Sequence, residues 1–141
     1  MRISILKKRS KSIGKFSKEE WPFADVIHYG RPDVNWNPKT FWVKATRGRE
    51  TIGCLRLSTE GGIGEIPGLI VSHKHQRQGV GKALIDKAAE ITKKEGGHKL
   101  YLLTGKDWEA LKFYKALGFV ECGELKDFYL HVDFVFLVKK I

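Results

Sequence analysis

An α/β (α+β) domain, with a mixed and mostly antiparallel central sheet, one parallel βαβ unit and helices on both faces, is what three stretches of the sequence predict. The first is Gln76 to Ala83, QRQGVGKA, which joins the apolar run Leu69, Ile70, Val71 to the helix-like run Leu84 to Lys94. The second is Leu100 to Leu103, a continuous apolar run with turn signals on both sides, which suits a buried strand parallel to the one before the helix. The third is the strand-rich sequence flanking this crossover, with antiparallel character before and after it. A length of 141 residues fits a single domain, 1–141, and 42% hydrophobic residues supply enough apolar side chain for a core.

Taken in order, Arg2 to Leu6 alternates through Ile3 and Ile5 and is expected to form a first strand, followed by a basic, Ser-rich connector to Ser17. Ser17 to Glu20 has the spacing of a capping box, but Pro22 follows so closely that only a short helix or turn is expected. Trp21 to Pro38 is expected to be irregular yet aromatic, with Trp21, Phe23, Tyr29 and Trp36 among three prolines and the acids Asp25 and Asp33. Loops with that much aromatic surface cover something, either the core or a ligand. Phe41 to Thr46 and Thr51 to Leu57 read as a hairpin around Arg47 to Glu50. The glycines at 61, 62 and 64 end it, and Glu65 to Val71 begins the strand that feeds the glycine loop. Pro67-Gly68 interrupts that strand. Proline donates nothing to a ladder, so a bulge or splay is expected there, freeing backbone groups for a ligand.

After the loop, Leu84, Ala88 and Ile91 recur at helical spacing until Gly96-Gly97 closes the helix. Asp107 is expected to cap a second helix that stops at Gly118. Strand, helix, strand, helix makes a right-handed crossover. From Val120 the chain returns to β character, with Phe128 to Val132 and Phe134 to Val138 as the expected antiparallel strands.

The chemistry is expected at the junction of strand and helix. Gly79 and Gly81 let the backbone turn tightly and approach a ligand, and the first amides of the helix then have no partner inside it. The helix dipole, Arg77, Lys74 and Lys82 add positive charge suited to a phosphate or pyrophosphate. The blander reading is a helix that merely opens after a turn. No Gly-Lys-Ser/Thr ends the loop, so it is not a Walker loop, and a dinucleotide fingerprint would place its first glycine earlier.

Lys and Arg number 26 against 16 acids, a formal charge of +10 that favours anionic partners without choosing among a phosphate-rich ligand, nucleic acid and an acidic protein surface. Two cysteines, Cys54 and Cys122, without CxxC spacing indicate neither a disulfide framework nor a zinc site. No apolar stretch approaches the roughly 18 residues of a membrane span, and the start, MRISILKKRSK, lacks a signal peptide's apolar segment, so a cytoplasmic protein is expected.

Gln76, Arg77, Gln78, Gly79, Val80 and Gly81 after a strand resemble the acetyl-coenzyme A pyrophosphate loop of the GNAT superfamily of N-acetyltransferases. Phe113 to Phe119, FYKALGF, resembles that family's later Tyr-x-x-x-Gly-Phe motif, and the two occur in the family's order, one helix and one strand apart. The resemblance covers Glu65 to Val138 and weakens before it. It implies that amides of residues 77 to 81 and of Lys82, with Gln76, hold the pyrophosphate, and that Leu69, Ile70 and Val71 pair by backbone with pantetheine. Tyr114 matches the family's tyrosine at the coenzyme sulfur, where a phenol can protonate the leaving thiolate. The alternative is a core tyrosine. Glu65 stands where many members carry the glutamate that takes the amine's proton, the alternative being an exposed strand carboxylate.

Two departures stand out. Asp107 stands where an asparagine is common seven residues before the tyrosine, so the resemblance implies a cofactor contact there made by a negatively charged side chain. His73 and His75 stand where other members often have Pro or Glu, and without a third ligand they read as solvated side chains. The resulting reading is a cytoplasmic N-acetyltransferase that uses acetyl-coenzyme A, no metal, no membrane and no nucleic acid, with a homodimer left open. An amine acceptor, small molecule or protein, attacks the thioester directly. Trp36 and Asp33 are expected to bind that acceptor as a cation, through cation–π contact and charge. The rival readings are a basic nucleic-acid-binding module and a sensor that binds the coenzyme without turnover.

Overall fold

A computed structural model describes residues 1–141 and divides the chain into two units, Met1–Asn35 and Trp36–Ile141. The first unit is built on α1, Lys11–Tyr29. Ser10 stands in extended conformation before it, and its hydroxyl accepts from the Ile13 N–H at 3.2 Å. At the other end Gly30, at φ 73°, donates its N–H to the Val26 carbonyl. This differs from the expected strand at Arg2 to Leu6, the expected start at Ser17 and the expected irregular run from Trp21. Residues 2 to 6 have no neighbouring strand to complete a ladder. The upstream cap at Ser10 nucleates the helix before the Ser17 box is reached, and Pro22 lies inside it. A proline costs one i→i−4 bond, roughly 3 kcal/mol in a helix interior, but the helix capped at both ends continues through it.

The second unit holds a six-stranded sheet. Its elements are β1 (Lys39–Arg47), β2 (Glu50–Glu60), β3 (Ile63–Val71), α2 (Val80–Lys94), β4 (Lys99–Gly105), α3 (Glu109–Ala116), β5 (Val120–Leu125) and β6 (Phe134–Lys140). The strand order is β1-β2-β3-β4-β6-β5, with only β3 and β4 parallel. The expected hairpin is β1 and β2, slightly longer at each end. Gly61 and Gly62, at φ 55° and 83°, form the two-residue turn from β2 to β3, where both positions demand the left-handed region. The expected helix and strand after the loop are α2 and β4.

Leu55 and Leu57 of β2, Ile66 of β3, Leu100 and Leu102 of β4 and Val135 and Leu137 of β6 are buried on one face of the sheet. They form one apolar cluster with Leu84, Ile85 and Ala88 of α2 and Tyr114 of α3. Successive side chains on a strand point to opposite faces, so Cys54, Arg56, Glu65, Tyr101, Leu103 and Phe136 lie on the other. Within this unit α2 and α3 both cover the core face, as two successive right-handed crossovers in the same direction require.

The C-terminal region departs from expectation. Phe128 to Val132 is not a strand; Tyr129–His131 is a single 3-10 turn, with Leu130 at φ 53° and His131 at φ 62°. Phe128 and Tyr129 instead set one side of their rings against Phe134, at ring-centroid distances of 6.2 and 5.3 Å, and stay partly exposed. The outer neighbour of β6 is β5, an exposed edge strand whose Glu121, Gly123 and Glu124 hide the period-two signal, while β4 pairs on its inner side.

Candidate functional site

The backbone between β3 and α2 is short of internal partners. Ser72 closes β3 by donating to the Ile52 carbonyl at 2.8 Å, a 3-10 turn covers His73–His75, and the chain reaches α2 through Gln76 to Gly79. The first bond of the helix runs from the Ala83 N–H to the Gly79 carbonyl, so the N–H groups of Val80, Gly81 and Lys82 have no acceptor in the protein. Gly79 has φ 80°, and a Cβ built on it would meet nothing within 4 Å: its backbone is open on the side where a side chain would stand. Arg77 also sits in the left-handed region, at φ 58°, a strain of order 1 kcal/mol for a non-glycine residue. Gln78 is tied down, donating to the Lys74 carbonyl at 3.3 Å and accepting from the Arg47 guanidinium at 2.9 Å, which anchors the loop to the end of β1. Lys82 pairs with Asp86 one turn along α2.

Gly81 is glycine for a different local reason. A Cβ there would lie 2.9 Å from Cζ of Phe113, so the missing side chain lets α2 close on α3, while its own N–H stays free. The Gly79 and Gly81 positions therefore divide between exposure of backbone and helix packing.

The second feature is a parting of strands. β3 and β4 are paired only at Ile63↔Lys99, Gly64↔Leu100 and Glu65↔Tyr101. Beyond that point β3 follows β2 and β4 follows β6. The cause is local: β2 offers Leu57 alone between Arg56↔Gly68 and Ser58↔Glu65, where β3 has both Ile66 and Pro67, a bulge at the expected proline. In the antiparallel ladder with β2, the bond from Ser72 to Ile52 fixes the alternation, so Ile70 turns its backbone groups toward β2. Leu69 and Val71 turn theirs toward the gap. The gap and the unpartnered amides of α2 are joined by eight residues of chain, 72 to 79.

Glu65 stands at the apex of the gap, half-buried, on the face away from α2 and α3. Tyr114 is 8% exposed in α3, edge-on to Phe113 and Phe119 at 5.1 and 5.6 Å. Burial pushes its phenol above the ordinary range, so it remains a hydrogen-bond donor at neutral and mildly alkaline pH. The same contacts make it part of the core.

A model of the acetyltransferase (GNAT) family matches residues 10–119, most of the chain. The chain belongs to the GNAT acetyltransferase family. An uncharacterized N-acetyltransferase of Bacillus subtilis (strain 168), YsnE, is 35% identical over 106 residues, 72% of this chain and 70% of that protein. An acetyltransferase from Bacillus cereus ATCC 14579 shares the fold with a TM-score of 0.70 over 98% of each chain at 18% identity. A GNAT family acetyltransferase from Elizabethkingia anophelis, solved with acetyl-CoA bound, has a TM-score of 0.66 over 71% of this chain and 75% of that one, at 24% identity.

Within this GNAT chain the remaining site candidates are dispersed. Asp107 does not cap α3: the residue before the helix is Trp108, and the Asp107 carboxylate makes no hydrogen bond. The reason is that Trp108 donates its N–H back to the Gly105 carbonyl at 3.2 Å and lays its ring over Gly105, which carries the start of the helix one residue past the aspartate. Trp36 packs its ring on Gly61 and accepts from the Gly61 N–H at 2.9 Å, so it sits on the turn that leads into β3. Asp33 belongs to the first unit, where it faces Arg31 at 3.8 Å in an exposed pair. No three His, Cys, Asp or Glu side chains gather as a metal ion would need. Sequence reasoning missed Arg47, whose guanidinium reaches Gln78 across 31 positions of chain, and Tyr101, hidden inside an apolar run and revealed by strand pairing.

Proposed function

We propose that this chain transfers an acetyl group from acetyl-coenzyme A to a primary amine by direct attack. The observation that carries the reading is the continuity between an open β3 edge and three unpartnered amides at the start of α2: one offers backbone hydrogen bonds to an amide-bearing arm, the other to a pyrophosphate. These groups fit the coenzyme, because an anion needs donors without competing acceptors and Gly79 keeps the approach clear. Bound acetyl-coenzyme A supplies the thioester. Arg77 to Lys82 and Gln76 bind phosphates, and Leu69 to Val71 align the arm along β3. Glu65 takes the proton from the attacking ammonium, directly or through water. As the N–C bond forms and the C–S bond breaks, Tyr114 donates its phenolic proton to the departing sulfur, and the second proton shed by the acylated nitrogen restores the phenol, directly or through water. Trp36, on the turn preceding Glu65, borders the acceptor. No metal takes part, the whole of residues 1–141 acts as one acetyltransferase domain, and the two free thiols, Cys54 and Cys122, fit a reducing, cytoplasmic setting.

The test is calorimetry with acetyl-coenzyme A, then coenzyme A thiol release with five acceptors: a peptide α-amine, Nα-acetyl-lysine, spermidine, tyramine and glycine methyl ester. Binding with amine-dependent thiol release is expected. Binding with no release from any amine would favour the sensor reading, and absence of binding would overturn the proposal.

A further inference from the structure

Tyr101 is the register partner of Glu65 in the last β3–β4 pair before the strands part. Both side chains leave the sheet on the face opposite α2 and α3. Cross-strand pairing on one face sets the Tyr101 phenol beside the Glu65 carboxylate, near enough for the carboxylate to act on the phenol. Its ring is stacked on Phe136 of β6, with centroids 5.2 Å apart and planes inclined by 24°. Strand pairing on one side and the Phe136 ring on the other therefore hold this hydroxyl in place. Burial first, and then the charge of Glu65, push the phenol up to about 12, so it stays a donor at any pH where an amine reacts. A carboxylate has roughly four acceptor sites, so a bond from Tyr101 would occupy one and leave the rest for an ammonium or a bridging water.

We propose that Tyr101 is a positioning residue for the reaction, holding the Glu65 carboxylate at the apex of the β3–β4 gap in the orientation that receives the acceptor's proton. The inference rests on Glu65 being the base. A glutamate side chain has several rotatable bonds, and an unpinned one would spend only part of its time aimed at the acceptor.

Tyr101→Phe keeps the ring and its stack and removes only the hydroxyl. With the fastest of the five amines above, kcat is expected to fall about ten- to a hundred-fold while the Kd for acetyl-coenzyme A stays within about twofold. The decisive comparison is with Glu65→Gln. If Tyr101 acts through Glu65, the double variant is no slower than Glu65→Gln alone. Multiplied losses in the double variant, or an unchanged kcat in Tyr101→Phe beside a slow Glu65→Gln, would overturn this inference alone. An unchanged kcat in Glu65→Gln would remove the base first, and this inference with it. The contact is also readable without turnover, by 13C NMR of the glutamate side-chain carboxyls: Tyr101→Phe should shift the Glu65 resonance, and an unmoved resonance would overturn the proposal.

Discussion

Tyr114 shows how one side chain serves packing and chemistry together. Its ring is part of the core cluster with Leu84 and Phe119, and the same burial that raises its phenol keeps the proton available to a leaving thiolate. Removing the hydroxyl alone separates the two roles. Tyr114→Phe should retain acetyl-coenzyme A affinity and most of the melting temperature, because the ring remains. Turnover should drop by roughly ten- to ten-thousand-fold, the range for losing a general acid. Because its ionisation lies above the ordinary phenol value of about 10, Tyr114 should impose no alkaline limb on the rate profile below that pH. Saturating kinetics and a thermal melt on the same sample check both halves. Full activity would take Tyr114 out of the mechanism, and a large loss of melting temperature would mark the hydroxyl itself as structural.

The glycine loop acts as an element, and its two glycines should fail differently. At Gly79 any L-residue meets the left-handed penalty of about 1–2 kcal/mol, and its side chain stands in the open space beside the free amides. Gly79→Ala should therefore weaken acetyl-coenzyme A binding beyond what its loss of stability explains. At Gly81 the new side chain meets the Phe113 ring between α2 and α3, an overpacking worth about 1–3 kcal/mol. Gly81→Val should lower the melting temperature, and Phe113→Ala in the same chain should recover part of that loss. Equal effects of the two substitutions on Kd and on melting temperature would refute this division. From sequence both glycines looked alike, since the motif shows that the chain must turn and cannot show which backbone atom ends against a neighbouring helix.

At the scale of the whole molecule, the pair at the apex of the β3–β4 gap ties stability to pH. In the unfolded chain the Tyr101 phenol ionises near 10; in the fold it is pushed up to about 12, because burial and Glu65 disfavour a phenolate. Between those values the unfolded state holds fewer protons than the folded one, so stability declines as pH rises. The contribution is complete below pH 10 and lost by about pH 12. Melting temperatures of the parent and of Tyr101→Phe, followed from pH 8 upward, should show the steeper alkaline decline in the parent. Parallel curves would mean that the phenol ionises alike in both states.

The order of β1, β2, β3, α2, β4 and α3 was legible in the sequence because each is specified locally, by hydrophobic period, turn glycines and the Pro67 break. The cofactor loop was legible for the same reason, as eight consecutive residues. Short-range rules failed where the outcome depends on a partner distant in the chain. Residues 2 to 6 had strand pattern without a neighbouring strand, Pro22 was carried by caps at Ser10 and Gly30, and Phe128 and Tyr129 set their rings against Phe134 instead of joining a ladder. The sequence by itself determined that a strand must open, turn over two glycines and enter a helix with free amides. Only the tertiary structure decided that the strand opens at Glu65 and that Tyr101, 36 positions along the chain, stands beside it on the same face, because a period-two pattern assigns a side chain to a face and strand pairing alone assigns its neighbour.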